Sequence, residues 1–231
     1  MNDKIFIYHG SENIIEKPFY GGGKKTNDFG LGFYCTESIN LAKEWAVSSI
    51  KDGFCNKYSI DMSYMRILNL NSPEYTILNW LAVLLENRVF SIKTPIAKKA
   101  RNYIIENFGI NVNAYDIIIG YRADDSYYDY AEAFINNTIS IEQLSKAMRL
   151  GKLGEQIVIK SQFAFSSLVF EGFEIALKDE FYIFRKDRDK EANELYYKLL
   201  EDNIIDGLFI NDIMKRGIKN EDTRIPRNVS K

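Results

Sequence analysis

Ile5-Phe6-Ile7-Tyr8-His9-Gly10-Ser11, followed by Asp28-Phe29-Gly30-Leu31-Gly32-Phe33-Tyr34-Cys35-Thr36, decides how this chain is read. The first stretch is β-branched and aromatic and closes on Gly-Ser, so it reads as a strand. It carries the one histidine of the chain at its end. Between the two stretches lies a segment rich in Gly, Lys and Asn, with Gly21-Gly22-Gly23-Lys24-Lys25 at its centre. Its glycines permit backbone conformations closed to other residues, so it reads as a loop. It lacks the spacing of a phosphate-binding P-loop. Phe33–Thr36 then reads as a second, short strand. Ser38 is a good N-cap for a helix running through Ile39, Ala42, Ala46 and Val47 to about residue 51.

Working outward, Asn56–Ile60 and Met65–Leu70 read as strands, and Asn71-Ser72-Pro73 signals a helix start. Residues 74–90 and 94–107 read as helices. Tyr115–Gly120, with three successive isoleucines, reads as a buried strand. Residues 127–136 and 140–150 read as helices, the second opened by Ser140 with Gln143 at the capping-box distance. Gln156–Lys160 is a further strand, and residues 173–184 suggest one or two more. From about 187 onward, charge alternates with Leu, Tyr and Ile at helical intervals. The expected class is α+β, with surrounding helices and a C-terminal helical tail. The expected division is a domain over 1–186 and a tail over 187–231.

The bulk composition fits a globular chain. It has 231 residues, 46% hydrophobic and 27% charged, with a formal net charge of -2. That charge argues against a general nucleic-acid-binding role. With Cys35 and Cys55 alone and one histidine, neither a disulfide framework nor a zinc site is expected. There is no signal-peptide layout and no apolar run long enough to span a bilayer, so a cytoplasmic protein with no membrane partner is expected.

The paired motifs resemble the ADP-ribosyltransferases with a His-Tyr-Glu signature, the diphtheria-toxin and poly(ADP-ribose) polymerase branch. There a His-Gly strand is followed by a Gly-x-Gly segment ending in an aromatic pair, and then by a helix carrying a second aromatic. Tyr34 matches the signature tyrosine and Trp45 the second aromatic. The chain also resembles a family of bacterial proteins with Tyr-His-Gly-Ser, Asp-Phe-Gly-x-Gly-Phe-Tyr, Trp-Leu, Asn-Arg, Ala-Asp-Asp and a late Gln-Ile strand, over roughly residues 5–170. Members of that family often sit beside a small antitoxin-like protein.

The resemblance implies split antiparallel-rich sheets of ADP-ribosyltransferase type and NAD as substrate. Its expected contacts are His9, Gly10, Ser11, Gly32, Phe33, Tyr34 and Trp45, with Tyr34 also in the catalytic set. Cleavage of the nicotinamide–ribose bond needs the ring held, the ribose fixed and an oxocarbenium-like charge tolerated. Tyr34 and Trp45 supply stacking surfaces, and a neutral His9 can hold a ribose hydroxyl. The third signature position is either Glu155 or Gln156. Adjacent strand residues face opposite sides, so a regular strand brings only one of them to the site. Glutamine binds a hydroxyl but is no base. Asp124 and Asp125 match Ala-Asp-Asp, and also suit a helix cap. Arg88 suits a pyrophosphate or a helix end. These make a second tier of candidates.

The function expected is NAD-dependent mono-ADP-ribosylation of a macromolecule, as the toxin of a toxin–antitoxin or phage-defence pair. The alternatives are an NAD glycohydrolase and a catalytically degenerate NAD- or ADP-ribose-binding module. The sequence leaves the acceptor open among protein, tRNA, DNA and small molecules.

Overall fold

A computed structural model describes residues 4–123, 125–150, 154–201 and 207–228. Among these residues, seven strands form two sheets. The first has the order β1 (Lys4–Ser11), β3 (Gly53–Asp61), β7 (Val169–Ala176) and is antiparallel throughout. The second has the order β2 (Phe33–Cys35), β6 (Glu155–Ile159), β5 (Ile117–Tyr121), β4 (Ile67–Asn69), with only β4–β5 parallel. The α+β class with split, antiparallel-rich sheets is therefore as expected.

The sheets share a core. Ile7, Tyr58 and Ile60 from the first meet Cys35, Ile117, Ile157 and Ile159 from the second. Their edges are stitched where Tyr8 N donates to Thr36 O at 2.8 Å and Thr36 N donates to Tyr8 O at 2.9 Å.

Helix α1 (Ile39–Ala46) starts at Ser38, whose hydroxyl accepts from Leu41 N. It lies against β1 at contact distance. A Cβ on Gly10 would fall 1.9 Å from Ala42 O, so only glycine admits the helix there. The helix ends at Ala46, short of the expected residue 51, because the chain turns there, with Ser48 N bonded to Lys51 O, before entering β3.

Helix α2 (Ile77–Asn87) is buried from Ile77 through Leu85 and forms the centre of the main core. A helix apolar all round must be covered all round. Its cover includes α3 (Pro95–Phe108), α4 (Asp125–Ile135) and α5 (Ile141–Leu150). Ser140 and Gln143 form the expected reciprocal cap of α5. A short helix α6 (Gln162–Ser166), which periodicity does not reveal, follows β6.

The C-terminal part departs from expectation. Only residues up to Ala176 of the stretch 173–184 are strand, and α7 (Lys178–Glu201) begins at Lys178. Phe181 in its first turns is buried with Ala46, Val47 and Ala176, which favours a helix docked on α1 over another strand. The expected boundary at 186/187 falls inside this helix. Arg188 forms a forked ion pair with the buried Glu44 of α1, at 2.7 and 2.9 Å. Tyr130 donates to Ala192 O, and Ala192 lies in the main core. Beyond it, α8 (Ile210–Lys215) adds Ile210 and Ile213 to the same core, joined by Ile218 and Ile225. Asn228 Nδ2 closes the chain onto Leu70 O at 2.6 Å. Among the described residues no helix is long and apolar enough to cross a membrane.

This packing sets a stability test. Truncation after residue 186 is expected to unfold the protein, since it removes four isoleucines from the core. Arg188→Ala is expected to cost about 3 kcal/mol in urea denaturation, because it orphans a buried carboxylate. A soluble, cooperative 1–186 fragment with wild-type stability would show the tail to be an appendage.

Candidate functional site

Beyond the Tyr8–Thr36 stitch, β1 and β2 diverge and open a cleft of about 290 Å³. Its walls are His9 and Gly10 from β1, Tyr34 from β2, Trp45 from α1 and Gln156 from β6. Asn27, Asp28, Arg88, Arg122, Ala123 and Arg185 complete them.

His9 sits at the base of β1. Its Nδ1 lies 2.7 Å from Tyr34 O. A carbonyl only accepts, so Nδ1 carries the proton and Nε2 is left as an acceptor. Phe33 packs on the imidazole at 4.2 Å between centroids. Burial pushes the histidine below its usual 6.5, and the bond to Tyr34 O pulls partly back. The ring is therefore neutral at pH 7.

Gly10 lies two residues beyond Tyr8. Residues two apart on a strand direct their amide and carbonyl to the same edge. Tyr8 uses that edge to bond Thr36, so the Gly10 peptide groups point past β2 toward the cleft. The hydrogen on its α-carbon faces α1, which makes Gly10 a packing requirement as well.

Tyr34 is held by its hydroxyl. It donates to Gly30 O at 2.6 Å and accepts from Phe29 N at 3.1 Å. Its phenol is pushed far above its usual range, first by burial. It has no proton to exchange near neutrality, and its ring is what remains for a ligand. The same loop is pinned by Lys160 Nζ on Phe29 O at 2.8 Å. Gly30 is required there: its φ is +72°, and a Cβ would meet Asn87 Oδ1 at 2.5 Å. Trp45 presents a ring with the Arg122 guanidinium 4.9 Å above it, and its buried Nε1 has no hydrogen-bond partner among the described residues.

Asp28 is buried at the centre of the charged wall. Its Oδ2 accepts from Ala123 N at 2.9 Å and from Gln156 Nε2 at 3.2 Å. Its Oδ1 faces Arg88 Nη1 at 3.4 Å. Burial raises its carboxyl, while the Ala123 amide, Arg88, Arg122 and the Gln156 amide pull it back. Among the described lining residues, three arginines, Arg88, Arg122 and Arg185, stand with this carboxylate, although the chain as a whole is slightly acidic.

Of the expected set, His9, Gly10, Tyr34, Trp45, Gln156 and Arg88 converge on the cleft. Ser11, Gly32 and Phe33 stand behind it. Ser11 accepts from Asn56 Nδ2, and Gly32 allows close packing on Val158 and Ile159. Glu155 is not among the lining residues and accepts from Asn71 Nδ2 at 3.0 Å. Asp125 opens α4, as a helix start would, and Asp124 lies outside the described residues. Sequence reading missed Asn27, Asp28, Arg122, Ala123 and Arg185 as wall residues. Asp28 begins the quoted motif and was open to detection there. Arg185 carried no such signal, since it reaches the cleft from a helix whose start was read as strand.

Comparison with known proteins gives one match. A family model described as "Protein of unknown function (DUF3990)" matches residues 5–170. No curated protein and no solved structure matches the chain.

The single histidine makes His9 directly measurable. Its imidazole resonance is expected to titrate below 6.5 in the folded protein. Since the unfolded chain binds that proton more readily, this group's contribution to stability is lost as pH falls from 6.5 toward the folded value. An NMR titration with a midpoint at or above 6.5 would overturn the neutral, Nδ1-protonated assignment.

Proposed function

The chain belongs to the DUF3990 family, and for it we propose NAD-dependent ADP-ribosyl transfer to a macromolecule. The observation that carries the proposal is the convergence of His9, Gly10, Tyr34 and Trp45 with the distant Gln156 on one cleft lined by three arginines. The cleft is at the small end of ligand pockets, so a dinucleotide would fill it and extend beyond. In this reading the Gly10 peptide groups hold the nicotinamide carboxamide, and Tyr34 and Trp45 flank its ring. His9 Nε2 accepts from a ribose hydroxyl. The arginines meet the pyrophosphate, for which guanidinium forks suit the paired oxygens. Gln156, at the third signature position, meets the nicotinamide ribose. Loss of nicotinamide leaves an oxocarbenium-like ribose that a nucleophile on the acceptor captures.

The resemblance of the motifs to a bacterial family supports the further proposal of a toxin in a toxin–antitoxin or phage-defence pair, with a small antitoxin-like protein as partner. Both cysteines are buried and free, which supports a reducing, cytoplasmic setting. Gln156, where the signature has glutamate, keeps a second reading in play: an NAD glycohydrolase or a binding module.

Calorimetry, nicotinamide release and label transfer separate these. NAD is expected to bind, and Trp45→Ala to weaken it about fivefold or more, the loss of about 1 kcal/mol of stacking. Gln156→Ala is expected to cut turnover on the order of 100-fold by misplacing the ribose, and Glu155→Ala to change it little. Label from NAD retained on a macromolecule supports transfer. Nicotinamide release without retention identifies a glycohydrolase, and binding without release a module. Absence of NAD binding by the folded wild type overturns the proposal.

A further inference from the structure

We infer that Asp28 is a positioning residue that turns the Gln156 carbonyl oxygen into the cleft and lends it negative charge, so that this amide does the work of the missing signature carboxylate. The inference rests on the reading of the cleft as an NAD site.

Three groups converge on the Asp28 carboxylate: Ala123 N–H, the Arg88 guanidinium and the Gln156 side chain. The first two only donate. A carboxylate so engaged is an acceptor on both oxygens, so the Gln156 amide must turn its NH2 toward it. A glutamine in isolation presents either end of its amide. Here the choice is fixed from behind. The consequence is visible at the other end: Gln156 Oε1 is buried and has no hydrogen-bond partner among the described residues. Gln156 itself is 4% exposed and lines the cleft. A buried acceptor left unmet by the described residues, on a side chain that lines the cleft, calls for a donor from the ligand. On the proposed substrate, the donor is a hydroxyl of the nicotinamide ribose.

The direction of that hydrogen bond matters to the chemistry. A hydroxyl that donates gains electron density on its oxygen and eases the positive charge that develops on the ribose as nicotinamide leaves. A hydroxyl that accepts from an NH2 group loses density and opposes it. The Asp28 carboxylate, 3.2 Å from Nε2, polarises the amide in the favourable sense, since hydrogen bonds in series strengthen one another. No proton is transferred in this arrangement. The bond that breaks is the nicotinamide–ribose bond, and its electron pair leaves with nicotinamide.

Swapping the two groups tests this. The assay follows nicotinamide release and NAD affinity for Asp28→Asn, Gln156→Glu and the double variant, each checked for folding. Asp28→Asn is expected to lower kcat about tenfold, the difference between a charge-assisted and a neutral hydrogen bond, with a smaller change in NAD affinity. Gln156→Glu alone is expected to lose activity too, because it sets two carboxylates face to face. The double variant restores one carboxylate and one amide in reversed order and is expected to recover most of the loss. Full turnover by Asp28→Asn, or a double variant no better than the worse single, overturns the inference. If Asp28→Asn does not fold, Gln156→Glu decides: unchanged or raised turnover overturns it. The side-chain NH2 resonances of Gln156 report the contact without NAD and are expected to shift on Asp28→Asn. That shift in a protein that fails to bind NAD supports the orientation while removing the cofactor reading; no shift overturns the orientation itself.

Discussion

The reciprocal hydrogen bonds between Tyr8 and Thr36 are the constraint on which the rest of this structure depends. They join the edges of two sheets at one residue pair and no further. On one side of that pair, side chains of both sheets interdigitate in a shared core. On the other, β1 and β2 part. The residues flanking the stitch are consequently thrown together, His9 next to Tyr8 and Tyr34 two before Thr36, and the Nδ1 bond to Tyr34 O follows from that spacing. An edge strand left partly unpaired is ordinarily a liability. Here the unpaired peptide groups at Gly10 fall inside a cleft roofed by α1, whose own approach depends on the glycine.

How much was legible in the sequence divides along physical lines. Local signals were read correctly: β-branched runs, the Ser38 and Ser140 caps, and the α+β class they imply. So was the juxtaposition of His9, Tyr34 and Trp45, since two strands and a helix close together in sequence place them. Residues whose position depends on distant packing were less accessible. Asp28 looked like a loop residue because its partners, Ala123 and Gln156, lie across the fold. Helical intervals are readable from about 187, but residues 178–186 mix charged and aromatic side chains without a clean period and read as strand up to 184. Phe181 on α1 and Ala192 in the main core decide their fold, and no local rule shows either contact. Alternation between neighbours narrowed Glu155 and Gln156 to one cleft residue, but which one depends on the pairing of β6 with β5 and β2.

Global charge was a poor guide to the cleft. The chain is slightly acidic overall. Yet arginines from the end of α2, the end of β5 and the first half of α7 line one cleft. Each has an ordinary local reason to exist: a helix end, a strand end, an exposed helix face. Their shared place on one cleft comes from the fold.

On the proposed reading of the cleft as an NAD site, the same logic explains how a glutamine can stand where the His-Tyr-Glu signature has a glutamate. A buried carboxylate on β6 would need its charge compensated there, within a wall already holding Asp28. Two carboxylates at that separation cannot both ionise cheaply. Moving the charge one group back, onto the loop before β2, lets Ala123 N–H and Arg88 neutralise it away from the substrate. The amide between them passes on part of that polarity while adding no second charge to be buried. The cost is one buried carbonyl oxygen without a partner among the described residues, and unmet buried acceptors are what binding sites keep for their ligands.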